Sequence, residues 1–580
     1  MPQQRANGTR RVWVPAGVFG LFALVVLGRL VQLQILEHDH YAAEAREELA
    51  ASSTIYATRG SILDRNGNVL ASSVDTWDIY VNPRAWKDEE KAKSASEALG
   101  EALGMDPAAL RTTVAEGSGD VIVARDVEYE IGNDILRKSL PGVTLRSNTA
   151  RVNPEGDTAA SIVGFIGQDN TGLAGIEDAY NDVLQGTPGR AVYERDTTGE
   201  PIPFAQYLTR EPVPGKDVEL TIDRWIQQRA EELLADAVEE HQAKGGTILV
   251  MDPSTGEILA NATWPSLKYS TLGEVDLGSE EGLALLKNTT VTDLYEPGSV
   301  MKVITAAAAI DAGAVTPDTT YVDHGSVDVY GVTLNNWEYQ TYGLQTMTGV
   351  LVDSINTGAV FMQQQLEAKS PGAFQRYLDA FGFGKPTGVD LMGEAAGIIR
   401  KPDDPNYSPV DLATQSFGQS ISVTPLQMLS AIAAAINGGN LMRPHFVKAI
   451  ISEDGTRQAI EPEVVSHPIS PETSSKIRQM MDAVVNERPH KGQPEDYRAG
   501  GKSGTANVPV PNGYDQTQIA SFVGFAPVDN PRVLVMVKLD ENQDLETGAI
   551  AAAPVVAQML DDTLHYLNVP PDVSDLVRKP

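Results

Sequence analysis

The chain has 580 residues, which is too long for one ordinary domain and predicts two to four units with substantial cores. Its 78 acidic and 45 basic residues give a net charge of -33, a poor surface for nucleic acid, which attracts proteins through Lys and Arg. Cysteine is absent and the eight histidines are scattered, so disulfides are excluded, and we expect neither a metal nor a cofactor.

The first predicted element is a membrane-spanning helix at residues 12–33, an apolar run interrupted only by Arg29. A run of about 20 apolar residues is long enough to cross a bilayer. The run is preceded by basic residues and followed by acidic ones: Arg5, Arg10 and Arg11, then Glu37 to Glu48. The positive-inside rule therefore predicts a cytoplasmic tail, residues 1–11, and an outer part that contains the rest. A cleaved signal peptide is the alternative, but its apolar core is normally only about 7–15 residues long.

Short β-like runs and turns follow the membrane segment. Asp64-Arg65-Asn66-Gly67, for example, is a turn sequence directly before the β-like run at Val69. This pattern predicts an irregular α+β unit, to which we assign residues 34–213, and Pro212 to Gly215 is its predicted linker.

The largest predicted unit covers residues 217–567. Strand pairs are expected near both of its ends, with helices between them: Thr247–Met251 with Ile258–Ala262, and Ile519–Phe525 with Val533–Leu539. Helices are predicted from Ile226 to His241 and from a Thr424 N-cap, where Pro425 and Gln427 complete a capping box. Strands at both ends with helices between them indicate an α+β fold class. Residues 568–580 are assigned to a C-terminal tail.

Ser299 is the candidate nucleophile of this unit. Pro297-Gly298 breaks the chain before it, and an apolar helix follows in which Lys302 is the only charge from Val300 to Ile310. Burial in such a helix favours a neutral lysine amine. Residues three apart share a helix face, so Lys302 can take the Ser299 proton. A capping serine beside a lysine that reaches solvent is the alternative interpretation, and it would be preferred for an isolated S-x-x-K.

Two further motifs accompany this one, each present once in the chain: Ser354-Ile355-Asn356 and Lys502-Ser503-Gly504. Ser354 is predicted to relay a proton after a short helix capped by Thr348, and Asn356 to bind a peptide amide. Lys502 supplies positive charge, and the Ser503 and Thr505 hydroxyls can bind a carboxylate. Gly504 lets a substrate strand lie close to the backbone. S-x-x-K, S-x-N and K-S-G in this order are typical of penicillin-binding proteins and class A β-lactamases.

With these motifs, the sequence resembles the class B, monofunctional high-molecular-weight penicillin-binding proteins, over nearly its whole length. The segment from Arg59 to Gly67 is similar to the first pedestal motif of that family. Arg151 to Gly156 resembles a degenerate second motif, with Asn153 in place of the usual aromatic residue. Gly175-Ile176-Glu177 with Tyr180 resembles the third.

The resemblance implies an elongated, dimerisation-like pedestal domain at 34–213 and a transpeptidase domain at 217–567, built as an antiparallel sheet with helices on both faces plus an all-helical subdomain. It implies a D,D-transpeptidase whose Ser299 is acylated by D-Ala-D-Ala stem peptides and by β-lactam antibiotics. The backbone N–H groups of Ser299 and Thr505 would form the oxyanion hole. The implied partners are a multipass membrane glycan polymerase and other division proteins.

Other functions remain open on the sequence alone. A D,D-carboxypeptidase would differ only in using water as the acyl acceptor. An elongation-type transpeptidase shares Lys-Ser-Gly-Thr, whereas Tyr295-Glu296-Pro297-Gly298-Ser299 favours the septal, cell-division type. A non-catalytic scaffold or polymerase activator is disfavoured by the intact motifs. A β-lactam sensor would need more cytoplasmic machinery than residues 1–11 offer.

Overall fold

The computed structural model describes residues 10–38, 50–195, 201–276, 278–487, 492–510 and 513–573. It divides into two units, one formed by residues 1–58 and 186–214 and the other by residues 59–185 and 215–580. Most of the predicted cytoplasmic tail and the last seven residues of the predicted C-terminal tail lie outside the described residues.

The strands of the described chain are, in order: β1 (Ala50–Ile55), β2 (Ile62–Leu63), β3 (Val69–Val81), β4 (Val121–Glu128), β5 (Val143–Val152), β6 (Gly189–Arg195), β7 (Pro201–Arg210), β8 (Asp217–Leu220), β9 (Gly245–Met251), β10 (Ile258–Trp264), β11 (Thr320–Asp323), β12 (Ser326–Val329), β13 (Val332–Asn335), β14 (Gly343–Thr346), β15 (Ile398–Ile399), β16 (Ile421–Ser422), β17 (Leu441–Met442), β18 (Val447–Ile451), β19 (Arg457–Ala459), β20 (Val464–Ser466), β21 (Gly500–Val510), β22 (Gly513–Ala526) and β23 (Val533–Asn542).

The α-helices are α1 (Arg10–Val31), α2 (Glu89–Leu103), α3 (Pro107–Glu116), α4 (Tyr129–Lys138), α5 (Ala160–Val163), α6 (Gly175–Ala179), α7 (Asn181–Leu184), α8 (Arg224–Glu240), α9 (Glu280–Leu285), α10 (Thr289–Thr292), α11 (Met301–Asp311), α12 (Met347–Val352), α13 (Asn356–Lys369), α14 (Ala373–Ala380), α15 (Asp411–Gln415), α16 (Pro425–Ile436), α17 (Pro471–Asn486), α18 (Gly548–Ala551) and α19 (Ala553–Tyr566).

The first unit contains the apolar N-terminal helix and a three-stranded sheet. Helix α1 continues as a π-helical turn from Gln32 to Leu36. The apolar segment Pro15–Leu36 has 22 residues, about 33 Å of helix, and is long and apolar enough to cross a membrane. The sheet has the strand order β1-β6-β7 and is antiparallel.

In the second unit, residues 59–185 form the larger part of the predicted pedestal. Their strands join a sheet with the order β19-β18-β8-β2-β3-β4, with β5 also paired to β3, in which β8, β18 and β19 come from later in the chain. All pairs are antiparallel except β2 with β8. Helices α2, α3 and α4 cover one part of this sheet around a small apolar core.

A group of buried charges, which we call the arginine cluster, joins the segments of the pedestal. Arg59 donates from Nε to Glu177 Oε2 at 2.5 Å, and Arg151 donates from Nε to Glu177 Oε1 at 2.7 Å. Arg59 also binds the Asn181 side chain at 3.0 Å. Since Arg59 and Glu177 are each only 1% exposed, every charge here depends on its partner.

The remainder of the second unit is organised around a five-stranded antiparallel sheet with the order β10-β9-β23-β22-β21. One face packs on α8 and α19, and the other packs on a helical region that contains α11, α16 and α17. The expected antiparallel sheet with helices on both faces is therefore present. Both predicted strand pairs are confirmed, as β9–β10 and β22–β23.

Capping residues set the starts of the predicted helices. The Thr424 hydroxyl accepts from Gln427 N, and Gln427 Oε1 accepts from Thr424 N, so the predicted capping box is confirmed. Helix α8 begins at Arg224, two residues before the prediction, because the Asp223 carboxylate caps it.

Candidate active site

Ser299 lies on a short 3-10 turn, Gly298–Val300, that leads directly into helix α11. Gly298 has φ +55°, and a Cβ at this position would lie 2.8 Å from the carbonyl oxygen of Thr505. The turn therefore needs glycine both for its backbone conformation and for the close approach of strand β21. This approach places the nucleophile candidate beside the K-S-G strand.

Lys302 is completely buried in the first turn of α11. Its Nζ lies 3.0 Å from Ser299 Oγ, 2.5 Å from the carbonyl oxygen of Ser354 and 3.3 Å from Ser354 Oγ. Burial, and secondarily the nearby charge of Lys502, hold the pKa of Lys302 well below the usual value of a lysine. The predicted juxtaposition of the Ser299 hydroxyl with the Lys302 amine is thus present, and burial favours the neutral form of that amine.

Ser354 follows helix α12 and has a left-handed backbone conformation, with φ +55°. In this conformation both its carbonyl and its hydroxyl oxygen face Lys302. The residue that caps α12 is Thr346, whose hydroxyl accepts from Gly349 N at 3.0 Å, so the predicted Thr348 cap was wrong. A left-handed conformation costs free energy for a serine, and at Ser354 it orients the carbonyl and hydroxyl oxygens toward Lys302.

Lys502 approaches from the edge strand of the five-stranded sheet. Its Nζ donates to Ser354 Oγ at 3.0 Å and to the Ser503 carbonyl oxygen at 3.0 Å, and it lies 3.4 Å from Ser503 Oγ. Burial lowers the pKa of Lys502 to about 7. Ser299, Lys302, Ser354, Lys502 and Ser503 consequently form one continuous chain of polar contacts.

Gly504 and Thr505 continue the edge strand beyond the lysine. A Cβ on Gly504 would lie 2.5 Å from Ser521 Oγ and 2.8 Å from the carbonyl oxygen of Pro297, so no side chain fits there. Thr505 Oγ1 accepts from Gly548 N at 3.3 Å. Because that contact occupies the oxygen as an acceptor, the Thr505 hydroxyl proton is available to an incoming acceptor such as a carboxylate.

Asn356 is not linked to the other predicted site residues by a described hydrogen bond. It begins α13, and its Nδ2 donates to the carbonyl oxygen of Asn335 at 3.0 Å. Sequence reasoning missed this contact and the buried network next to it, in which Asp323 binds Asn336 and Thr357. These residues carry no motif and are distant from each other along the chain.

A second missed contact supports the nucleophile turn. Glu296, which is almost fully buried, accepts from Ser420 N at 2.9 Å, and Gly298 N donates to Gly418 O at 3.2 Å. The 418–420 segment is therefore held against the residues directly before Ser299. The Gly418-Gln419 pair in the sequence was the available signal for it.

Two family models match the chain. The model described as penicillin binding protein transpeptidase domain matches residues 246–561, and the model described as penicillin-binding protein dimerisation domain matches residues 54–220. Together they cover most of the chain, and the candidate site lies within the first of them.

Similar proteins are found over nearly the full length. Stage V sporulation protein D of Bacillus subtilis is 32% identical over 573 residues, which cover 97% of this chain and 86% of that protein. Peptidoglycan D,D-transpeptidase FtsI of Escherichia coli is 28% identical over 561 residues, 94% of this chain and 90% of that protein. The crystal structure of penicillin binding protein 2X from Streptococcus thermophilus has a TM-score of 0.77 at 26% identity, and covers 89% of this chain and 80% of that one.

Proposed function

This chain belongs to the class B penicillin-binding proteins, and from that premise we propose which of its residues carry out the reaction. It is a peptidoglycan D,D-transpeptidase, a serine acyltransferase that cross-links stem peptides, and it is a target of β-lactam antibiotics. A role in septal wall synthesis fits its similarity to FtsI. We also propose the boundaries 34–213 for the pedestal domain and 217–567 for the transpeptidase domain, which the matched ranges 54–220 and 246–561 support.

The contacts of Lys302 carry the assignment of the general base. A neutral amine has two N–H donors and one lone pair. The Ser354 carbonyl and hydroxyl oxygens are two acceptors for the two N–H groups, and the third neighbour is Ser299 Oγ at 3.0 Å. The lone pair is therefore left for the Ser299 proton, which is the arrangement that a general base requires.

In the acylation step that we propose, Ser299 Oγ forms a bond to the carbonyl carbon of the penultimate D-Ala while Lys302 takes the hydroxyl proton. The bond from that carbon to the terminal D-Ala nitrogen breaks, and the leaving amine receives a proton through Ser354. Lys502 donates to Ser354 Oγ, which leaves the Ser354 proton free for this transfer.

The remaining residues are proposed to hold the donor peptide. The Thr505 hydroxyl, the Ser503 hydroxyl and the charge of Lys502 bind its terminal carboxylate, and the Asn356 amide binds a peptide group. Because β21 is an edge strand, an extended peptide can pair with its free side. The backbone N–H groups of Ser299 and Thr505 form the oxyanion hole, and the close approach at Gly298 supports this assignment.

Labelling with a fluorescent penicillin tests the nucleophile. We expect covalent labelling of the purified protein, no labelling of Ser299→Ala, and normal labelling of Ser254→Ala, an exposed serine in the β9–β10 turn, as the matched control. Labelling of Ser299→Ala at the normal rate would refute the assignment.

We further propose that segment 12–33 anchors the protein with residues 1–11 in the cytoplasm. The apolar helix and the three basic residues before it support this orientation. Protease added to intact spheroplasts should then digest the residues that follow the helix. Complete protection in intact spheroplasts, with digestion after lysis, would contradict the proposal.

For partners, we propose a multipass membrane glycan polymerase, together with other division proteins, and a pedestal whose shape activates the polymerase. The arginine cluster supports the proposal that the pedestal has a fixed shape, because Arg59 binds residues more than 100 positions away along the chain. Arg59→Ala should reduce polymerase activation while the penicillin acylation rate is retained. Unchanged activation by a folded Arg59→Ala variant would exclude this role.

A further inference from the structure

The segment between helices α11 and α12 forms two nested hairpins, which we call the rim (residues 320–346). Strand β11 pairs with β14, and β12 pairs with β13 between them. The rim belongs to the helical side of the active site, because it directly precedes α12 and Ser354. The proposed donor site, by contrast, lies on the sheet side, along β21.

Buried hydrogen bonds fix the rim to the catalytic region. Asp323, 1% exposed, accepts from Asn336 Nδ2 at 3.0 Å and from Thr357 Oγ1 at 2.5 Å. Asn336 Oδ1 in turn accepts from Thr357 N at 3.1 Å. Asn356 binds the neighbouring carbonyl of Asn335 at 3.0 Å. The residues just after Asn336 are therefore held at a set position next to the first turn of α13.

Those residues are Trp337, Glu338 and Tyr339, and all three side chains are exposed to solvent. Trp337 is 47% exposed and Tyr339 is 79% exposed. The aromatic residues of the rim differ in this respect: Tyr321 stacks on Phe361 with a ring distance of 5.2 Å, whereas Tyr330 at the tip of the β12–β13 hairpin is 78% exposed. What distinguishes Trp337 and Tyr339 is their place directly after Asn336, which buried hydrogen bonds hold.

The backbone at this place is strained as well. Glu338 has φ +53° and Tyr339 has φ +57°, so two consecutive non-glycine residues are left-handed. This conformation is strained for a residue with a side chain, and the surrounding structure must hold it in place. Glu338 receives a hydrogen bond from Gln340 at 3.4 Å, and the described structure pairs its carboxylate with no Lys or Arg.

We propose that Trp337, Glu338 and Tyr339 form a subsite for the ammonium group of the acceptor stem peptide, an inference that rests on the proposed function. An exposed carboxylate that is flanked in sequence by two exposed aromatic residues offers groups complementary to an organic cation. The acceptor of a transpeptidase is an amine, which is protonated before it reacts. The donor peptide is proposed to pair with β21, whereas this subsite follows Asn335, which binds Asn356 on the helical side.

The subsite acts before the second half of the reaction. After binding, the amine loses a proton to solvent, and its nitrogen attacks the acyl carbon on Ser299. The new bond between nitrogen and carbon forms while the bond from that carbon to Ser299 Oγ breaks. Of the two protons left on the nitrogen, one stays on the new amide and the other passes through Lys302 to Ser299 Oγ, which restores the free enzyme. Water as acceptor gives hydrolysis instead and needs no cation site.

Kinetics with a thioester analogue of the donor and an amine-bearing stem tetrapeptide as acceptor test the proposal. Tyr339→Gly removes the ring and suits the left-handed backbone, and Tyr330→Gly is a matched control. Tyr330 is 78% exposed with φ +52°, but it lies at the tip of the β12–β13 hairpin. Four residues, or about 13 Å of strand, separate it from Asn335. Glu338→Gln tests the charge.

Tyr339→Gly and Glu338→Gln should each raise the KM for the acceptor about two- to fivefold, and Trp337→Leu should do the same. The rate of acylation by benzylpenicillin should stay unchanged, and Tyr330→Gly should behave as the wild type. An unchanged acceptor KM in a variant that combines Trp337→Leu, Glu338→Gln and Tyr339→Gly would overturn the subsite. It would also be overturned if the N-acetylated tetrapeptide, which has no ammonium group, competed for the site as strongly as the free tetrapeptide. Absence of acylation in the wild-type protein would instead refute the proposed function.

Discussion

Two groups of buried cations lie in the second unit, and they differ in what compensates their charge. In the arginine cluster, Arg59 and Arg151 share the carboxylate of Glu177. At the active site, the contacts described for Lys302 and Lys502 are with hydroxyl and carbonyl oxygens only. The first group is a structural ion network, whereas the second consists of buried amines that the described structure pairs with no carboxylate.

The difference teaches what burial does to each type of side chain. A lysine can release its proton when it is desolvated, so burial without a carboxylate lowers the pKa of Lys302 and Lys502. A guanidinium does not release its proton in this range, so a buried arginine needs an anionic partner. Burial therefore produces a reactive amine at the active site and a rigid ion-paired contact in the arginine cluster.

The largest effect is expected for Lys302→Met, which keeps the volume and removes the amine. The acylation rate should fall about 10²- to 10⁴-fold, because the general base is lost. The free energy of unfolding should not fall by more than about 1 kcal/mol, because removal of a costly buried amine offsets the lost hydrogen bonds. Fluorescent penicillin kinetics and urea unfolding measure the two quantities. An acylation rate within tenfold of wild type would show that Lys302 is not the base.

The converse effect is expected for Arg59→Met. Removal of one partner from a buried ion pair should lower the free energy of unfolding by about 3–5 kcal/mol, because the buried Glu177 carboxylate loses a partner. The acylation rate of the folded protein should stay close to normal. Arg146→Ala, which breaks an exposed pair with Asp120 at 3.1 Å in the same pedestal, is the control, and it should cost less than about 1 kcal/mol. If Arg59→Met and Arg146→Ala lowered the free energy of unfolding equally, the buried arginine cluster would be no more important for stability than an exposed ion pair.

A smaller effect concerns pH. Burial lowers the pKa of Lys502 to about 7, so the lysine is charged below that pH and neutral above it. The second-order rate constant for penicillin acylation should therefore decrease above about pH 7 as the carboxylate-binding charge is lost, by up to tenfold per pH unit. Lys502→Arg keeps its charge, and this alkaline decrease should be absent from its profile. A wild-type decrease that begins only near pH 10 would contradict the lowered pKa.

The smallest effect is expected from the backbone of Ser354. Both Ser354→Ala and Ser354→Gly remove the relay hydroxyl, but only glycine adopts φ +55° without strain. Ser354→Gly should therefore be more stable than Ser354→Ala by about 1 kcal/mol in urea unfolding. If the alanine variant were equally stable, the left-handed conformation would not be a source of strain.

Features that depend on neighbouring residues were predictable from the sequence. Lys302 meets Ser299 because residues three apart share a helix face, and the distance of 3.0 Å agrees. The cap of α12 shows the limit of such reasoning. Thr346 and Thr348 have equally suitable side chains, and the choice depends on where β14 ends, at the pairing of Thr346 with Thr320.

By itself, the sequence determined the three motifs, the apolar helix, the local strand pairs and the family. Only the tertiary structure decided which groups meet across long separations: Lys502 with Ser354, Glu177 with Arg59, and Thr357 with Asp323. The physical reason is that a motif specifies chemistry over a few residues, whereas these contacts depend on how the helices and sheets pack. The same packing removes water from Lys302 and Lys502, and so the reactivity of the site is a property of the fold.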